Sequence, residues 1–114
     1  MALIKRETIT HAERKREEVA VESLGGSVAV VQMSLTTRLV AEEVSRRQGG
    51  EPGAVFATIP HVLAGCVVDA DGEQLMTAEQ WSTFGANHRE EVITLFNKSM
   101  ELSGYSSAES AEKN

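Results

Sequence analysis

Two runs of β-branched residues on either side of a glycine pair constrain the first third of this chain. Residues 19–33 read VAVESLGGSVAVVQM, with Gly25-Gly26 between the runs. Val19 and Val21 alternate with small or polar residues. After the glycines, Val28, Val30 and Gln32 face one way and Ala29, Val31 and Met33 the other. Alternation with a period of two is the pattern of a strand, and a Gly-Gly pair supplies the positive φ angles of a tight turn. A β-hairpin is expected over roughly Glu18–Leu24 and Ser27–Met33.

The period then changes to that of a helix. Ser34 is placed as an N-cap before LTTRLVAEEVSRR, where Leu35, Leu39, Val40 and Val44 recur at helical spacing. Arg46 and Arg47 suit the negative end of that helix, and Gln48–Gly53 (QGGEPG) stops it. In the apolar stretch 54–68, Pro60 is tolerated only in a first turn, so a helix is expected from about Ile59 to Val68. Asp69–Gly72 reads as a turn and Glu73–Met76 as a short extended stretch. Thr77-Ala78-Glu79-Gln80 fits a capping box opening a short helix with Trp81 and Phe84, interrupted at Gly85. Asn87-His88-Arg89-Glu90 fits a second box, opening the longest helix, to about Ser103. The fold class is therefore α+β: a small, mainly helical domain with an N-terminal hairpin and three to four helices. Its 114 residues suit one domain, residues 1–104, followed by a flexible Ser/Glu/Ala-rich tail, residues 105–114.

Composition narrows the function by exclusion. Aromatics are only 4%, so the core must be built mainly from aliphatic residues and Met. The net charge of −6 conceals an uneven split. Residues 1–16 hold five basic and two acidic groups, net +3, against six basic and fifteen acidic in the remainder, net −9. An acidic body without aromatic residues interleaved among the basic ones argues against nucleic-acid binding. One cysteine excludes an internal disulfide and an all-thiolate metal site. The longest nearly apolar run, Ala54–Ala70, is broken by Thr58, Pro60 and His61 and falls short of a membrane span. A signal-peptide stretch is not seen, and a cytosolic, reducing location is expected.

No constellation of residues carries chemistry. Asp69-x-Asp71-Gly72 has part of a calcium-loop spacing, but the positions that should ligate at its ends are Val67 and Ala78. Cys66 lies in an apolar setting that makes a thiol inert. His11, His61 and His88 are far apart, and neither a phosphate loop nor a nucleophile elbow is present. A non-enzymatic protein without metal or cofactor is expected. The apolar residues offer more. Val92, Ile93, Leu95, Phe96, Met100 and Leu102 give the last helix a broad apolar face, readable either as core or as interface. Leu95, Phe96 and Met100 are the candidate contact residues for a partner or a second copy, with Trp81 and Phe84 assigned to that surface or to the core.

The order of these segments resembles the tail assembly chaperones of long-tailed bacteriophages, of the lambda-like and HK97-like kind. Glu22-Ser23-Leu24-Gly25-Gly26-Ser27-Val28 occupies the place of that family's Pro-Glu-Trp-Gly-Gly-x-Val-like hairpin, with Leu24 at the tryptophan position. The helix at Ser34–Arg47 follows. The fullest match is Val67–Trp81 (VVDADGEQLMTAEQW), an Asp-x-Asp-Gly turn running into a Thr-x-Glu-x-Trp helix start. Val92–Gly104 corresponds to the last long helix.

The resemblance implies a non-catalytic chaperone. It would keep the tape-measure protein soluble in the host cytoplasm during tail morphogenesis and be absent from the mature virion. It also implies a longer form made by −1 ribosomal frameshifting that recruits tail-tube subunits. Glu112-Lys113-Asn114 can be encoded as A-AAA-AAN across codons, the form of a slippery heptamer. Self-association into a homo-oligomer is expected. The alternative is a structural virion component, such as a tail or head–tail joining protein.

Overall fold

The computed structural model describes residue 3, residues 14–49 and residues 53–104. Most of the basic arm and the tail expected over residues 105–114 lie outside these residues. The elements are β1 (Arg16–Val21), a 3-10 turn (Glu22–Leu24), β2 (Gly26–Val31), α1 (Leu35–Arg47), α2 (Ala54–Cys66), β3 (Val67–Val68), α3 (Ala78–Gly85) and α4 (Arg89–Leu102). The strands form one antiparallel sheet in the order β1-β2-β3. The α+β class expected from the sequence is the class observed.

The hairpin forms with a different turn. Val21 pairs with Gly26, so the loop spans Glu22 to Gly25. Gly25 alone takes a positive φ, 77°, and its N–H donates to the Glu22 carbonyl at 2.9 Å. Gly26 is the first paired residue of β2. A loop of this length needs one left-handed residue where a two-residue turn needs two. β1 also begins earlier than expected, at Arg16, and is an edge strand whose Arg16, Glu17 and Glu18 are exposed.

β2 is buried on both faces. Val28 and Val30 join Val21 in the main core, whereas Ala29 and Val31 meet Val68 on the other side of the sheet. Met33 packs against the main core, contrary to its expected grouping with Ala29 and Val31. The strand has ended at Val31, and the period of two ends with it.

α1 starts where the sequence places it: the Ser34 hydroxyl accepts from the Thr37 N–H at 3.1 Å. α2 departs from expectation. It begins at Ala54, and Pro60 is its seventh residue. Pro60 has no N–H for the carbonyl of Phe56, but Phe56 is on the exposed side of the helix, where water can serve that carbonyl. The helix ends at Cys66, and Val67–Val68 pair with Val30 and Ala29 as β3.

The Asp69–Gly72 turn closes on itself. The Asp69 carboxylate accepts from the N–H groups of Asp71 (2.8 Å) and Glu73 (3.0 Å), which leads the chain into a bridge between Gln74 and Val68. Thr77 and Gln80 make both hydrogen bonds of the capping box that opens α3. The second box does not form, and the N-cap of α4 is His88. The N–H groups of Asn87 and His88 both donate to the Phe84 carbonyl, so the turn after α3 runs past Asn87. The His88 ring then stacks on Phe84, with centroids 4.4 Å apart.

α2 is the axis of the molecule, packing against α1, α3, α4 and β3. Ile59, Val62, Leu63 and Cys66 from α2 meet Trp81 of α3 and Val92, Leu95 and Phe96 of α4. The approach of α1 is close because α2 offers no side chain at Gly65. A Cβ there would lie 2.1 Å from the Thr37 hydroxyl oxygen and 3.0 Å from its Cβ.

An alanine in place of glycine inside a helix ordinarily stabilises by about 1 kcal/mol. Here Gly65→Ala should destabilise, by about 1–3 kcal/mol of overpacking. In a double-mutant cycle followed by urea unfolding, Thr37→Ala should recover part of that loss.

Candidate functional site

α1 and α4 both pack on α2, and between them lies an apolar groove of about 230 Å³. Val55 and Val62 of α2 and Phe96 of α4 form its base; Ala41 of α1, Met33 and Met100 form its sides. Arg38 and Glu42 stand at its rim as an i,i+4 ion pair at 3.4 Å. The two methionines give the groove unbranched, polarizable walls that adapt to different side chains. Its chemistry is that of a helix-in-groove surface: apolar contact with few directional polar demands.

The expected contact residues divide on where they lie. Phe96 and Met100 line the groove, Phe96 almost fully buried and Met100 partly exposed. Leu95 is as deeply buried as Phe96, 0% against 1% exposed, and both belong to the main core, but Leu95 backs a different concavity, beside Val19 and Val21 of β1. A residue one step along α4 from Phe96 turns by about 100° and faces the sheet instead. Trp81 is 1% exposed and belongs to the core, and Phe84 is half-buried, its ring edge-to-face with Trp81 at 5.7 Å.

The exposed apolar residues are elsewhere. Leu35 is 72% exposed, Leu39 55% and Val40 42%, all on α1. They do not form the buried stripe that their spacing suggests; Thr37 and Ala41 face α2 instead. The signal that identifies the inner face is size: small Thr37 and Ala41 permit the close approach to Gly65, which leucine would block.

The polar groups read from the sequence have local roles. Burial pushes the Cys66 thiol up, with the buried Ser99 hydroxyl acting in the opposite sense. The described residues hold no group of three His, Cys, Asp or Glu placed to share a metal ion. Among them no helix is long and apolar enough to cross a membrane.

Ser23, His88 and Glu91, by contrast, meet across the molecule. The Ser23 hydroxyl donates to the Glu91 carboxylate, the Ser23 N–H donates to its other oxygen at 3.3 Å, and His88 Nδ1 lies 3.1 Å from the hydroxyl. These are residue types of a hydrolytic triad, but the hydrogen-bond order differs. The serine gives its proton to the carboxylate, where a triad needs the imidazole to take it. The arrangement ties the hairpin turn to the start of α4.

No protein-family profile and no curated protein sequence matches the chain. The solved structure of the bacteriophage HK97 tail assembly chaperone does match, with a TM-score of 0.61 over 84% of this chain and 88% of that one, at 15% identity. This chain has the fold of that chaperone.

In this chaperone-like fold the hairpin turn and the last helix are brought together from distant parts of the sequence, and the Ser23–Glu91 tie bridges them. The Ser23 hydroxyl is the main cause that holds the Glu91 carboxyl below its ordinary 4.5. A carboxyl depressed on folding stabilises the native state above its unfolded value, and that contribution is lost as pH falls through the folded value. Urea midpoints of the native chain should therefore drop more steeply below about pH 4.5 than those of Glu91→Gln, and the variant should be the less stable of the two at pH 7.

Proposed function

We propose that this chain is a tail assembly chaperone of a long-tailed phage: a non-catalytic holdase that covers apolar helices of the tape-measure protein in the host cytoplasm and leaves before the virion is mature. The observation that carries the reading is an open, methionine-walled groove of helix-binding character on the fold of the HK97 chaperone. A holdase must accept many related apolar segments, and a groove whose rim charges already pair with each other imposes little sequence selection. Leu35, Leu39 and Val40 on α1 support self-association, since burial of such a side chain is worth roughly 1.5–3 kcal/mol.

Co-expression tests this directly. The native chain should raise the soluble fraction of the phage's tape-measure protein, and Met100→Lys should remove most of that gain while leaving the circular dichroism spectrum unchanged. No gain with the native chain overturns the reading, as does its retention in purified virions, which is the behaviour of a structural tail or head–tail joining protein. A longer −1 form that recruits tail-tube subunits belongs to the same proposal, supported by Glu112-Lys113-Asn114. The gene should then carry an uninterrupted A-AAA-AAN heptamer followed by an open −1 frame; an interrupted A-run removes this part of the proposal.

A further inference from the structure

A second groove, of about 420 Å³, opens between α2, α3 and α4, on a different face of α2 from the first. Phe56, Ile59 and Pro60 line one side and Ile93 the other, with Trp81 and Arg89 at its polar end. Phe56 is 38% exposed, a large apolar side chain left at the surface of an open concavity.

Two features set this groove apart from the methionine-walled one. Arg89 is exposed and makes no ion pair or hydrogen bond among the described residues, although the chain carries a net −6. It is the first residue of α4, where the positive end of the helix already disfavours a cation. The indole N–H of Trp81 is buried and has no acceptor among the described residues. A buried donor without a partner is costly and uncommon in folded proteins. The groove thus combines apolar walls with one unpaired cation, and its lining contains no carboxylate to answer it.

We propose that this groove docks an acidic, apolar helical segment of a partner protein, with a carboxylate of the segment on Arg89 and its apolar side chains against Phe56, Pro60 and Ile93. The inference is independent of the tape-measure reading, because it uses neither the methionine-walled groove nor the self-association of α1. It selects by charge, where the first groove does not.

Trp81 is the chain's one tryptophan, so its emission reports on the groove. The full chain is titrated with three synthetic amphipathic peptides that share one leucine-and-phenylalanine face and differ at a single flanking residue, Glu, Gln or Lys. The Glu peptide should give a saturable change in emission, the Lys peptide should bind at least tenfold more weakly, and Arg89→Glu should reverse that order. Met100→Lys should leave the Glu peptide's affinity unchanged. Equal binding of the Glu and Lys peptides, or no saturable change, overturns the proposal. So does an emission change that follows the protein's own concentration without peptide, which would mean that a second copy fills the groove. Loss of Glu-peptide binding in Met100→Lys would place the peptide in the other groove and also overturn it.

Discussion

The structure depends on the close contact of α1 with α2 at Gly65. α2 packs against all three other helices and β3, and it supplies Ile59, Val62, Leu63 and Cys66 to the core. Without a side chain at Gly65, α1 settles onto α2 through Thr37 and Ala41. That choice of inner face turns Leu35 and Leu39 to solvent and sets one wall of the methionine-lined groove. A chain with few aromatics can afford this arrangement because the large side chains it has, Trp81 and Phe96, are both spent on the opposite flank of α2 or beneath the groove.

Features that rest on neighbouring residues were legible in the sequence. The Ser34 cap and the Thr77–Gln80 box each involve residues three apart, and both form as their spacing implies. The hairpin strands were legible from valine alternation, and the class of fold followed from them. Features settled by distant contacts were not. Pro60 reads locally as a helix start, yet α2 extends six residues before it because its apolar side chains are wanted in the core. Asn87 reads as a cap, but the stacking of His88 on Phe84 and the hold of Ser23 on Glu91 place the break one residue later.

The candidate surface was legible only in part. Phe96 and Met100 do line the methionine-walled groove, while Leu95, adjacent in sequence and similar in hydrophobicity and burial, lies beside β1 instead. Hydrophobicity cannot separate them; the direction in which each points can. The spacing of Leu35 and Leu39 identifies the α1 helix but not its inner face, since a helix packed closely at a glycine buries its smallest residues and leaves larger ones outside.

The edge of the sheet bears on how such a protein stays useful. Among the described residues β1 is the outer strand, and an outer strand's row of backbone donors and acceptors is a template for adding another. Arg16, Glu17 and Glu18 stand exposed along it, charged residues that disfavour the addition of an apolar strand. Charged residues thus line the strand edge, where β-type growth could start, while both apolar grooves lie among the helices.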